Sequence, residues 1–178
     1  MDLVKAARKG RESALLELFD EHHVPLFRFA YRLTGSVADA EDIVQECFLT
    51  LLRPECSYDP RRSSVRNYLF GVVRHQSRKR RSRNDSSSDD GPEAWHNQSP
   101  ESEALRTELE DVVARAVLWL PETQREVLIL AHYEQMPLAE IARVMALDVG
   151  AVKSRLQRAR ASLKETLAAF APNLERKR

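Results

Sequence analysis

The chain has 178 residues, of which 43% are hydrophobic and 31% are charged, and its formal net charge is +1. This length is enough for one medium hydrophobic core or two small ones, and the polarity excludes an integral membrane protein. No apolar run approaches the roughly 20 residues of a membrane span, and the N-terminus lacks a signal-peptide pattern. We therefore expect a cytoplasmic protein without membrane insertion.

The near-neutral net charge hides a strong separation of charge along the chain. Four acidic residues and no Lys or Arg occur between Leu33 and Leu52, whereas nine basic residues and no acid occur between Pro60 and Arg83. Such segregation bears on binding partners more than the total charge does. We expect separate acidic and basic surfaces on the folded protein.

The N-terminal half has the apolar spacing of amphipathic helices. One helical pattern ends at Gly35, a residue type that commonly terminates helices, and the next follows Ser36, which stands three residues before Asp39 as in a capping box. A further helix begins near Val65 and runs into the basic segment. The helix after Ser36 has an apolar face and an opposite, mainly acidic face that consists of Asp39, Asp42, Gln45, Glu46 and Leu49.

A turn-rich, apolar-poor segment from residue 84 to residue 104 follows this half of the chain. Its composition cannot form a packed core, so we predict an acidic flexible linker. Stretched out, roughly 19 residues reach about 60 Å, which is more than one turn of B-DNA at about 34 Å. The sequence thus predicts a domain at 1–83, a second domain at 105–170 and a basic tail at 171–178.

The C-terminal third has the pattern of a helix-turn-helix. A helix that ends before Pro121 is followed by a second helix with Pro121 at its first position, by a short helix around Ile141, and by a last helix that starts at Val149. Residues 146–148 make the tight turn, and Asp148 is the expected N-cap. This layout places the second helix of the pair in the major groove. No β pattern competes anywhere, so we predict an all-α fold of two small helical domains.

The last helix is the candidate recognition helix because it is basic and has no acid from Val149 to Lys164. Arg, Lys and Gln side chains can read base edges, while further cations contact phosphates. A solvated basic helix face is the alternative, but charge, caps and the preceding short helix coincide here. The candidate contacts with duplex DNA are Val149, Gly150, Ala151, Lys153, Ser154, Arg155, Gln157, Arg158 and Arg160.

Two separate sets of residues resemble one protein family. In the C-terminal half, Leu120-Pro121, Gln124-Arg125, Glu140-Ile141-Ala142 and Val152-Lys153-Ser154-Arg155-Leu156 resemble region 4 of the extracytoplasmic-function (ECF) group of bacterial RNA polymerase sigma factors. In the N-terminal half, the helix from Asp39 to Phe48 resembles region 2 of that group, and Val65-Arg66-Asn67-Tyr68-Leu69 resembles its promoter-melting helix. The two motifs occur in the family's order and cover most of the chain outside the linker and tails.

The resemblance implies a sigma factor that binds core RNA polymerase and directs it to promoters. Region 2 of the family docks on the clamp helices of the largest polymerase subunit, so Asp39, Asp42, Gln45, Glu46 and Leu49 become candidate polymerase contacts, while region 4 meets the flap. An ordinary solvated helix face is the alternative reading of this acidic surface. The resemblance also implies control by an anti-sigma protein and a nucleoid location within the holoenzyme.

The resemblance further implies capture of single-stranded DNA by region 2. In the family, a loop, here about residues 57–64, and the following helix bind flipped minus-10 bases on the non-template strand. Such capture requires cations along the backbone and planar groups for stacking. The candidates are Tyr58, Arg61, Arg62, Ser64, Arg66, Asn67, Tyr68, Arg74 and Arg78, whereas we assign Phe70 to the core.

Three places depart from the family pattern. Met136-Pro137 and Ala146 stand where the family often has glycine, and Ala151 stands where it often has threonine. Ala151 lacks a hydroxyl that could cap or bind phosphate, and the turn at Ala146 must do without the freedom of glycine. We therefore expect a promoter preference that differs from the family's usual minus-35 sequence.

The sequence is open to two alternative functions. A stand-alone helix-turn-helix regulator would leave the N-terminal half unexplained. A nuclease could use Asp39, Asp42 and Glu46 as metal ligands on one helix face, but no second ligand set or positioned base accompanies them, and the five histidines and two cysteines are scattered. We predict no catalytic residue, no metal and no cofactor.

Overall fold

The computed structural model describes residues 2–85 and 108–175. Eight α-helices occupy these two ranges, and no strand forms within them, which confirms the predicted all-α fold. The helices are α1 (Leu3–Arg8), α2 (Glu12–Thr34), α3 (Val37–Leu52), α4 (Val65–Asp85), α5 (Glu108–Trp119), α6 (Glu122–His132), α7 (Leu138–Met145) and α8 (Val149–Glu175).

The predicted linker lies mostly outside the described residues. Helix α4 continues to Asp85 and α8 continues to Glu175, so both helices run past residues 83 and 170, the predicted ends of the two domains. None of the helices in the described ranges has the length and apolar character needed to cross a membrane.

The junction between α2 and α3 has the predicted caps. Gly35 ends α2 with φ 72°, a left-handed conformation that glycine adopts without a steric penalty, and its N–H donates to the carbonyl of Tyr31 at 2.7 Å. The hydroxyl oxygen of Ser36 then accepts a hydrogen bond from the N–H of Asp39 at 3.2 Å. These two caps set the start of α3 and therefore the direction of its acidic face.

We expect Ser36→Ala to lower the free energy of unfolding by about 1 kcal/mol, because the N–H of Asp39 loses its acceptor. Urea denaturation followed by circular dichroism measures the change. The control is Ser13→Ala, an exposed serine within α2, which should change stability by less than about 0.5 kcal/mol. Equal midpoints for the two variants would show that the cap contributes nothing measurable.

The N-terminal module is built on the packing of α2, α3 and α4. The rings of Phe29 and Phe70 lie 5.1 Å apart, and both side chains are fully buried, which confirms the assignment of Phe70 to the core. Cys47 is also fully buried, and burial raises the pKa of its thiol to about 12. This thiol therefore packs as a small apolar group.

The C-terminal module packs α6 and α7 against the long helix α8. Ile129, Ile141 and Val152 are fully buried at these contacts. Pro121 differs from its prediction: with ψ 137° its backbone is extended, so it serves as the N-cap and α6 begins one residue later at Glu122. The core that supports α8 is otherwise the one expected from the apolar spacing.

The two modules lie against each other. Helix α4 of the N-terminal module contacts α7 of the C-terminal module, and α2 contacts both α5 and α6. This association was not predicted, since the sequence indicated only a flexible tether. It determines which of the candidate site residues face solvent.

Candidate nucleic-acid and polymerase interfaces

The turn of the helix-turn-helix is closed by two local features. Ala146 has φ 52° and ψ 50°, so this alanine adopts the left-handed conformation that the family's glycine would take. The carboxylate of Asp148 accepts a hydrogen bond from the N–H of Ala151 at 2.8 Å, which confirms Asp148 as the N-cap. The first turn of α8 is thereby presented at the surface.

The recognition helix α8 has a sharp division between a buried and an exposed face. Val152, Leu156 and Ala159 are buried, and the polar candidates alternate with them on the opposite side. Among the nine candidate minus-35 residues, Ala151 and Arg155 are half-buried, and the exposed ones are Val149, Gly150, Lys153, Ser154, Gln157, Arg158 and Arg160. The structure thus brings a continuous basic surface to one side of the helix.

Two arginines of this surface are held by neighbouring groups. Arg158 donates to the hydroxyl of Ser154 at 3.4 Å, and Arg160 donates to the Nε2 of His132 at 3.1 Å. These contacts are exposed and add little stability. They do place two guanidinium groups on the solvent side of α8, where a planar donor can meet a base edge or a phosphate.

The acidic face of α3 is partly paired within its own module. Arg80 of α4 contacts Asp39 at 2.6 Å and Asp42 at 3.2 Å, and Arg53 contacts Glu46 at 3.0 Å. Such surface pairs are weak and can be exchanged for pairs with another protein.

Gln45 and Leu49 are the exposed members of the set that lack charge, and Leu49 has 54% of its surface open to solvent. An exposed leucine beside charged residues can supply apolar contact area to a protein partner within a polar rim.

The loop before α4 and the start of that helix form a second candidate surface. Arg61, Arg62 and Ser64 are exposed, and the hydroxyl of Ser64 accepts a hydrogen bond from the N–H of Asn67 at 3.2 Å. Asn67 itself is buried. The two arginines are therefore open to solvent, whereas Asn67 lies inside the protein in this arrangement.

Two tyrosines pack together beside that loop. The rings of Tyr58 and Tyr68 lie 5.3 Å apart, and the Tyr68 hydroxyl is 3.1 Å from the thiol of Cys56. Burial raises the pKa of Tyr68 to about 12, so this phenol stays neutral at physiological pH. Both rings are half-buried, which leaves part of each face for stacking.

The remaining minus-10 candidates contact the C-terminal module. The Nε of Arg74 lies 2.9 Å from the Glu126 carboxylate, the Nε of Arg78 lies 3.2 Å from the Glu122 carboxylate, and Arg66 donates to the carbonyl of Glu134 at 3.2 Å. Part of the predicted set therefore lies in a solvent-facing loop. The predicted arginines of α4 instead pair with groups of the C-terminal module.

Sequence reasoning missed the buried charges of the C-terminal module. Arg125 is 2% exposed and donates to the carbonyl of Leu33 at 2.9 Å, while burial lowers the pKa of its guanidinium to about 10. Glu126 is fully buried against α4. A signal was present, because Glu126 has the helical phase of the buried Ile129 and Leu130, where a charge is unusual without a partner. Within the described residues, no cluster of His, Cys, Asp and Glu could hold a metal ion.

Comparison with known proteins gives the same division of the chain. Residues 18–87 match the family model for Sigma-70 region 2, and residues 111–163 match that for Sigma-70 region 4. The chain is 36% identical over 176 residues to the ECF RNA polymerase sigma factor SigL of Mycobacterium tuberculosis, covering 94% of this chain and 96% of that protein. It is 28% identical over 177 residues to SigW of Bacillus subtilis, covering 92% of this chain and 94% of that protein.

Solved structures agree in fold. The chain is similar to CnrH in its complex with the cytosolic domain of CnrY, with a TM-score of 0.71 and 26% identity over 94% of this chain and 96% of that chain. It is also similar to the sigma factor RpoE in its complex with the anti-sigma factor NepR from Bartonella quintana, with a TM-score of 0.68 and 25% identity over 85% of this chain and 95% of that chain.

These findings define a transcription factor of two helical modules with a DNA-binding helix-turn-helix. The chain belongs to the ECF sigma factors of RNA polymerase. We refer below to the N-terminal module as region 2 and to the C-terminal module as region 4.

Proposed function

We propose that this sigma factor recognises minus-35 duplex DNA through the exposed side of α8. The observation that carries the proposal is the capped, acid-free start of α8, where Lys153, Gln157 and Arg158 share the solvent side while Val152 and Leu156 hold the helix in place. A helix held in this way can enter the major groove as a rigid element. Because Ala151 has no hydroxyl, discrimination between sites would depend on the polar and basic residues that follow it.

Region 2 is proposed to make the main contact with core RNA polymerase through α3. Leu49 and Gln45 supply the exposed contact area. The carboxylates of the same face pair with Arg80 and Arg53 in the free protein and would pair with basic residues of the clamp helices instead; they are Asp39, Asp42 and Glu46. Charge complementarity of this kind mainly sets orientation and association rate. Region 4 is proposed to contact the flap.

Region 2 is also proposed to capture the minus-10 element once the duplex opens. Arg61 and Arg62 would meet the backbone, Tyr58 and Tyr68 would offer partly exposed rings, and the arginines of α4 would follow the strand. The factor acts by binding alone, without catalytic chemistry of its own. Its place of action is then the nucleoid, as part of the holoenzyme in the bacterial cytoplasm.

Control by an anti-sigma protein is the fourth part of the proposal. Of the two solved structures described above, CnrH is bound to the cytosolic domain of CnrY, and the sigma factor RpoE is bound to the anti-sigma factor NepR. Occupation of α3 by such a protein would block the polymerase contact directly.

Run-off transcription with purified core RNA polymerase tests the function. We expect core enzyme plus this protein to initiate at specific sites within a genomic promoter library, and core enzyme alone to initiate at none of them. A stand-alone regulator would instead bind duplex sites without polymerase and would not direct initiation. Absence of any specific start, with no anti-sigma protein present, would refute the proposal.

A further inference from the structure

Several contacts between the two modules join an arginine of one module to an acidic or carbonyl group of the other. On α4, Arg74 and Arg78 face Glu126 and Glu122 of α6, and Arg66 faces the carbonyl of Glu134. On α2, Arg28 lies 3.8 Å from the Glu134 carboxylate. Region 2 thus presents a basic surface to an acidic surface of region 4.

Glu126 is the centre of this contact. Its side chain is 1% exposed, one carboxylate oxygen accepts a hydrogen bond from Arg74 at 2.9 Å, and the other lies 3.5 Å from the Nε of Arg78. Arg74 has 17% of its side chain exposed. The two guanidinium groups lie on successive turns of α4 with one carboxylate between them. Two arginines in this arrangement could bind a backbone phosphate in place of the carboxylate.

We propose that the structure shows a closed state of the factor, in which Glu126 and Glu122 occupy Arg74 and Arg78 as an internal substitute for a DNA phosphate. The inference rests on the proposed role of these arginines in minus-10 binding. In the closed state region 4 covers most of Arg74, whose side chain is 17% exposed, and two carboxylates of region 4 occupy the guanidinium of Arg78. Binding of the minus-10 strand therefore requires region 4 to move away from α4.

The contact is suited to reversible opening. Desolvation of a buried ion pair offsets much of its Coulomb attraction, so the net contribution of such a pair is small. The second oxygen of Glu126 is buried without a hydrogen bond, which adds to that cost. When region 4 leaves, both Glu126 and the arginines regain water, and a partner that binds the separated modules can open the factor with a modest part of its binding free energy.

The test compares full-length wild type with Glu126→Gln and with Glu122→Lys. Glutamine keeps the size of Glu126 and removes its charge, and a lysine at position 122, where the side chain is 33% exposed, repels Arg78. We expect both variants to have a larger radius of gyration by small-angle X-ray scattering. We also expect each to bind a fluorescein-labelled single-stranded oligonucleotide of mixed sequence roughly tenfold more tightly than wild type, because a larger fraction is competent to bind.

Glu165→Lys, at an exposed position of α8, is the matched control for the charge change. It should leave the radius of gyration as in wild type. A Glu122→Lys variant that stays as compact as wild type and gains no more DNA affinity than Glu165→Lys would overturn the proposal.

The same variants separate this inference from the proposed function. We expect core polymerase to separate the modules in the holoenzyme, so wild type and Glu126→Gln should initiate transcription equally well. Failure of every form to initiate would refute the proposed function. The scattering result would still decide whether the modules are held together by these glutamates.

Discussion

Replacement of Leu49 by glutamate is expected to weaken binding to core RNA polymerase by about tenfold or more, since burial of one leucine contributes about 1.5 to 3 kcal/mol. Leu49 is 54% exposed on α3, so its side chain contributes little to the fold of the free protein. Glutamate is a good helix former and should leave α3 intact. Fluorescence anisotropy with labelled sigma factor and purified core enzyme measures the affinity.

Leu16→Glu is the matched control, because Leu16 lies on α2, outside the predicted interface, and is 53% exposed. The two variants change the same residue type at the same exposure and should have equal unfolding midpoints. A loss of core affinity confined to Leu49→Glu would support the contact. Equal affinities would exclude Leu49 from the polymerase interface.

Arg155→Ala and Arg158→Ala are expected to weaken binding of holoenzyme to minus-35 duplex by about 1 to 3 kcal/mol where the side chain reads a base. If the arginine reads a base, its removal should also lower discrimination at one position of the site. If the arginine only neutralises a phosphate, its removal should weaken binding to all sequences alike and reduce the salt dependence of binding by about one counterion. Electrophoretic mobility shifts over a range of KCl concentrations distinguish these two results.

Lys164→Ala is the control for charge alone, because Lys164 is exposed on α8 but lies outside the predicted minus-35 set. It should change affinity less than either arginine variant and should leave sequence preference unchanged. If all three variants behaved alike, α8 would be a general basic surface rather than a recognition helix.

Local features of this fold were predictable because each depends on few neighbouring residues. Gly35, Ser36 and Asp148 act as caps through bonds to residues no more than four positions away, so the sequence contains their full explanation. The buried stripe of α8 follows from apolar spacing in the same way. The assignment of Phe70 to the core also needed only its phase on α4.

Contacts between distant segments were not predictable by the same means. Arg80 meets Asp39 across 41 positions, and Arg74 meets Glu126 across 52, so nothing in the local pattern of either residue identifies its partner. The sequence predicted that this segment forms one basic surface. In the fold its arginines divide between α3, region 4 and solvent.

One residue with a left-handed backbone lies before the short helix α7 and another follows it, although neither is glycine. Gln135 has φ 48° and Ala146 has φ 52°, and a left-handed residue other than glycine costs about 1 to 2 kcal/mol. Burial of Ile141 and Met145 compensates for this cost, so α7 keeps its position through tertiary packing rather than through its own turns. We therefore expect Ala146→Gly to raise the melting temperature of region 4, because glycine relieves the strain without altering any of the predicted minus-35 residues.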